Sequence, residues 1–197
     1  MVIVLTGVSG SGKTSVGKAL SELTSWFFVD ADDYHSPENI AKMSRGEPLD
    51  DRDRLPWLNS LRALIRVRID RSEDTILACS ALKKSYRSLL SPTGSQLDSA
   101  GSSNLHFVYL QVSLEILEAR LKQRSDHFMQ LRMLDSQLDT LEEPTADEAT
   151  IVRVQTETSP EALAIYIHNK LEHLRSNLTR SSHLTSMIQD ITSGASN

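Results

Sequence analysis

The 197-residue chain has one cysteine, no long apolar run and no surplus of basic charge. A single cysteine excludes an internal disulfide and a cysteine-based metal cluster. That residue, Cys79, closes the apolar run Thr75–Cys79 and reads as a small buried packing residue rather than a reactive thiol. No apolar stretch approaches the roughly 20 residues that cross a bilayer as a helix, so no membrane partner is expected. A formal net charge of −5 argues against nucleic acid as a partner, since such proteins usually carry a basic surplus. The first apolar run begins at Val2, so no cleavable leader is expected ahead of the fold. With the lone thiol, this fits a reducing, cytoplasmic setting. The length suits one domain with a substantial core, and no internal repeat is visible.

What the chain does have is a concentration of glycine at its start. Val2–Thr6 is β-branched or aliphatic up to its last residue and predicts a buried strand. Gly7, Val8, Ser9, Gly10, Ser11, Gly12, Lys13 and Thr14 then match G-x-x-x-x-G-K-[ST], the phosphate-binding loop. Glycine tolerates positive φ, so successive N–H groups can turn inward around an anion, and a helix starting near Lys13 adds its positive dipole end. Lys13 would reach the β- and γ-phosphates, and the Thr14 hydroxyl would ligate Mg²⁺. Val16, Leu20 and Leu23 mark the helix that follows.

Further strands are expected at Trp26–Asp30, Thr75–Cys79, Leu105–Leu110 and Ile151–Val154, separated by helical patterns such as Trp57, Leu61, Leu64 and Ile65. Ser159-Pro160 predicts a last helix start, with Leu163, Ile167, Leu171 and Leu174 as its buried stripe. Alternating strands and helices imply a parallel sheet covered on both faces, whose ligands bind beyond the carboxyl ends of the strands. The domain is expected to span 1–175. Ser91–Asn104, small and polar, predicts a surface insertion, and 176–197 a polar tail, with a docked helix as the alternative.

Candidate chemistry therefore lies just after each strand. Asp30 and Asp32, at i and i+2, are expected on one side of the departing strand. One would hold Mg²⁺ and the other accept a proton from an attacking hydroxyl, although a helix cap also uses Asp or Ser36. Asp53-Arg54 precedes Pro56-Trp57, where Pro56 suits an early helix position and Trp57 can hold the pair in place. Arg45 and Arg52 read as ordinary solvated surface. Lys83, Lys84 and Arg87 supply positive charge after the third strand. After the fourth, Leu114, Leu117 and Leu121 predict a buried helix stripe, with Arg120 and Arg124 placed to close over a transferring phosphoryl group as a lid. His127 and Gln137 flank that region.

"GVSGSGKT", "DADDYH", "GEPLDDRDRLPWL", "CSALKKSYR" and "HFMQLRMLDSQLDTLEEP" follow one another from Gly7 to Pro144. In this order the chain resembles the gluconate kinases, small P-loop enzymes related to shikimate kinase. The resemblance implies an α/β/α sandwich of the nucleoside-monophosphate-kinase type, with a five-stranded parallel sheet and a lid at about 120–137. It implies ATP- and Mg²⁺-dependent phosphorylation of D-gluconate at its 6-hydroxyl, feeding the pentose phosphate pathway. By position, Gly7 to Thr14 hold the ATP phosphates, Asp30 is the magnesium-side acid and Asp32 the base. Arg120 and Arg124 belong to the lid. Asp32, His35, Arg54, Lys83, His127 and Gln137 surround the substrate. Members are often homodimers, so a second copy is a candidate partner. One departure is Asp126, where the family commonly has glycine; it removes backbone freedom and adds negative charge near an anionic site. Two alternatives stay open from the residues: a kinase of another small hydroxy acid or sugar acid, and a non-catalytic nucleotide-binding regulator.

Overall fold

Five apolar runs form five strands: β1 (Val2–Thr6), β2 (Phe27–Asp30), β3 (Thr75–Ala78), β4 (Leu105–Gln111) and β5 (Ile151–Gln155). They pair in the order β2-β3-β1-β4-β5, every pair parallel. The computed structural model describes residues 1–91, 104–123, 127–145, 148, 151–155 and 158–173, with 127–133, 151 and 152 described by backbone alone. Most of the expected insertion, the tail beyond 173, Leu174, Arg124 and Asp126 lie outside the described residues.

Parallel strands need crossovers, and these are helical: α1 (Lys13–Thr24), α2 (Pro37–Ser44), α3 (Asp51–Asp70), α4 (Lys84–Leu90), α5 (Leu114–Lys122), α6 (His127–Thr140) and α7 (160–173). Side chains alternate across the sheet, so each strand feeds two cores. Val2, Val4, Leu77, Leu105 and Phe107 pack with Trp57, Leu58, Leu61 and Ile65 of α3. Ile3, Leu5, Ile76, Val108 and Leu110 pack with Val16 and Leu20 of α1 and Leu163, Ile167 and Leu171 of α7. The result is the expected three-layer sandwich.

Local signals explain where helices begin. Asp50 Oδ1 accepts from the Arg52 and Asp53 amides at 2.8 and 2.9 Å, and Asp53 Oδ2 accepts from the Asp50 amide at 2.9 Å. This reciprocal cap starts α3 at Asp51, so Pro56 falls in its second turn rather than its first. Leu114, expected in the buried stripe, is exposed; Leu117 and Leu121 face inward, packing with Val8, Leu82 and Leu134 beneath the glycine loop. Leu114 is the first residue of α5, just after its Ser113 cap, and lies beyond the layer it was expected to cover.

Register decides what meets at the carboxyl edge. Leu5 of β1 lies opposite Ala78 of β3, which in turn lies opposite Asp30 of β2. The loop after β1, the acids after β2 and the turn after β3 therefore emerge side by side.

Candidate active site

The loop after β1 takes the backbone path that its glycines allow. Gly7, Gly10 and Gly12 have φ of 142°, 80° and 98°. A Cβ on Gly7 would stand 2.8 Å from Ser11 Oγ and 3.0 Å from the Leu110 carbonyl oxygen. Gly12 is the residue before α1, which has no side-chain cap and no acid in its first turn. Its leading N–H groups are thus directed to an anion rather than to the protein's own side chains. Val8 and Ser11 are buried, so both serve the loop through their backbone. Lys13 Nζ donates to the carbonyl oxygens of Gly7 and Val8 at 2.9 and 3.0 Å, lying along the loop it serves.

One cleft gathers Ser9, Gly10, Gly12, Lys13 and Thr14 with Asp30, Asp32, His35, Arg54 and Gln137. Thr14 Oγ1 donates to Asp30 Oδ2 at 3.0 Å, while Asp30 Oδ1 accepts from the Asp32 amide at 3.2 Å. Asp30 therefore both caps the 3-10 turn Ala31–Tyr34 and points a hydroxyl–carboxylate pair into the cleft. Ser36 caps α2. The expected shared side for Asp30 and Asp32 holds in effect, although Asp32 lies in that turn rather than on the strand. Among the described residues, no group of three or more His, Cys, Asp or Glu could hold a metal ion. A hydroxyl and one carboxylate are instead the hard oxygen donors that suit Mg²⁺ shared with nucleotide phosphates.

The Asp32 side chain is 85% exposed within the cleft. The surrounding walls still desolvate its charge and, with Asp30 and Asp33, raise its pKa, against an opposing pull from Lys13. His35 stacks on Trp57 with ring centroids 4.3 Å apart, and its Nε2 stands 4.0 Å from Asp32 Oδ1. Burial, helped by the Arg54 charge, pushes His35 down to about 4. It is neutral at pH 7, and its buried Nδ1 has no hydrogen-bond partner among the described residues. Trp57 Nε1 donates to the Ala31 carbonyl oxygen at 2.7 Å, pinning α3 beside the acid turn. Asn39 Nδ2 donates to the Asp53 carbonyl oxygen at 2.8 Å and Lys42 Nζ reaches Asp53 Oδ2 at 2.5 Å. These contacts hold Arg54 at the cleft, as the Trp57 anchor predicts.

Three expected positions behave differently. Lys83 lies outside the main cleft, in an adjoining depression, and pairs with Asp51 at 2.7 Å. Arg87 is buried and meets Glu148 at 2.7 and 2.8 Å, with further bonds to the Ala81 and Leu82 carbonyls. It ties the chain together and offers no charge to a ligand. Arg120 Nη1 donates to the Gly10 carbonyl oxygen at 3.2 Å, fastening α5 to the glycine loop. Gln137 lines the cleft, and its Oε1 accepts from the Ser9 amide at 2.6 Å. The side chain of His127 and all of Arg124 lie outside the described residues. The sequence reading missed Ser80, Met43, Pro48, Leu49 and Ser136, which complete the lining. Only the parallel register, bringing the β3 turn against the loop, foretells Ser80: the Gly7 amide donates to its carbonyl oxygen at 3.3 Å.

A parallel sheet with this loop at its carboxyl edge defines a P-loop nucleotide-binding protein. Residues 2–144 match the AAA domain family. A probable gluconokinase of Xenopus tropicalis is 49% identical over 158 residues, 77% of this chain and 83% of that protein. The thermosensitive gluconokinase of Escherichia coli is 44% identical over 151 residues, 77% of this chain and 76% of the other. The crystal structure of a gluconokinase from Sinorhizobium meliloti superposes with a TM-score of 0.78 at 40% identity, covering 92% of this chain and 97% of that one. The chain belongs to the gluconokinase family of P-loop kinases.

Proposed function

We propose that the protein transfers the γ-phosphoryl group of ATP to the 6-hydroxyl of D-gluconate, giving 6-phosphogluconate for the pentose phosphate pathway. The observation that carries this reading is the placement of Asp32, with its raised proton affinity, in one cleft with the glycine loop, Asp30 and Arg54. Backbone amides of Gly7–Thr14 and Lys13 bind the phosphates. Thr14 and Asp30 would hold Mg²⁺, which when bound offsets charge on the phosphate oxygens.

Asp32 accepts the proton of the attacking hydroxyl. Neutral His35 and cationic Arg54 fix the hydroxylated chain, and Lys83 attracts its acid group from the adjoining depression. Arg120 would act beside the glycine loop on the transferring phosphoryl group, the role the resemblance also gives Arg124, with His127 toward the substrate. Positioning and electrostatics supply most of the acceleration, a base about 10²–10⁴-fold. A homodimer and a cytoplasmic setting belong to the same proposal.

A coupled assay with MgATP and a panel of gluconate, shikimate and related acids tests it. Gluconate is expected to be the preferred acceptor. Tight ATP binding without transfer to any acceptor would overturn the reading in favour of a regulator.

A further inference from the structure

Beside the main cleft, and sharing Leu49 and Arg54 with it, lies a more open depression that Asp51, Lys83, Tyr86 and Thr140 also line. Lys83 Nζ donates to Asp51 Oδ1 and Oδ2 at 2.7 and 2.9 Å, and Tyr86 Oη donates to Asp51 Oδ1. Lys83 and Arg54 both stand over the Tyr86 ring, at 5.4 and 5.9 Å from its centroid. An ammonium, a phenol hydroxyl and a nearby guanidinium make up a carboxylate-binding set. Here the carboxylate they hold comes from the chain itself. Asp50 and Asp53 form the reciprocal cap of α3, so Asp51 adds only its charge to the first turn. The Asp51 side chain is 64% exposed while Lys83 is 28% exposed and Tyr86 buried, so the acid is the solvent-facing and more easily exchanged partner. An incoming acid that makes the same bonds can displace it readily.

We propose that Asp51 is an internal stand-in for the substrate's carboxylate. The acid group of the sugar acid replaces Asp51 on Lys83 and Tyr86, and the hydroxylated chain runs past Arg54 into the main cleft toward Asp32. This rests on the sugar-acid reading above and adds a specificity device to it. An acid regains the bonds that Asp51 gives up, whereas a neutral polyol has nothing with which to compete. The exchange makes and breaks no covalent bond.

Steady-state kinetics of the full chain with D-gluconate at saturating MgATP test the proposal. Asp51→Asn is expected to lower KM for gluconate about two- to fivefold, the range an exposed ion pair allows, with the effect falling on KM rather than kcat. Lys83→Met raises KM, and in the double variant the gain from Asp51→Asn disappears. Asp51→Ser repeats the measurement with a residue suited to a first helical turn. If the wild type phosphorylates gluconate while both Asp51 variants leave KM unchanged or raise it, Asp51 merely positions Lys83 and the proposal fails. Absence of transfer to gluconate by the wild type overturns the underlying reading and this proposal with it.

Discussion

The Asp32 carboxyl sits among Asp30, Asp33 and Lys13, in a cleft that raises its proton affinity. A carboxyl that binds protons more tightly folded than unfolded weakens the fold above its folded pKa, because there it must carry charge the fold resists. The Asp32 side chain is 85% exposed, which damps that penalty, so Asp32→Asn is expected to lower turnover about 10²–10⁴-fold with ATP affinity and the unfolding midpoint largely kept. Near wild-type turnover would discard the base assignment. His35 has the opposite linkage. Its folded pKa of about 4 lies below the ordinary value of 6.5, so the unfolded chain takes up the proton first as pH falls. Stability present above about 6.5 should drain away between there and 4, and His35→Gln should flatten that part of a denaturation series. At this scale the sequence was most legible where a residue type has few uses, as in Gly7–Thr14. It misleads where charge alone is the guide: Arg87 reads as ligand-facing, but Glu148, distant in sequence, claims it.

Between elements, close approach does the work. A Cβ on Gly17 of α1 would stand 2.4 Å from Cε2 of Phe28 on β2. Gly17→Ala must push that ring aside, and an unfolding titration should show a loss of about 1–3 kcal/mol despite alanine's better helix propensity. Gln137 joins α6 to the glycine loop through the Ser9 amide, so Gln137→Ala should weaken nucleotide binding. Losing that one bond costs about 0.5–1.5 kcal/mol, readable as a rise of about two- to twelvefold in KM for ATP. Strand positions were legible to within a residue or two because their apolar runs are short and bounded. The start of α3 was not, since its reciprocal Asp50–Asp53 cap is hidden in "LDDRDRLPW", where five charged residues mask which one turns the chain.

Across the whole molecule, the sheet order was not in the local pattern; it follows from which runs pair over long separations. The segment after α6 is secured by Arg87 and Glu148, both nearly buried. Removing the acid strands the guanidinium, so Glu148→Ala should cost about 3–5 kcal/mol in a calorimetric or denaturant experiment. The joint return of α5, α6 and the β3 turn to one loop explains why the site blocks lie so far apart in sequence yet read as one set. It leaves α1 beginning at Lys13, just after Gly12, with no side chain of its own to cap its leading amides. Triphosphate is then the fold's own terminal cap, delivered from solution. Filling the cradle to a hundred times its dissociation constant should add about 2.7 kcal/mol of resistance to unfolding. The same nucleotide would thereby oppose the unfolding of the chain it serves, a shift that a thermal melt with and without MgATP reads directly.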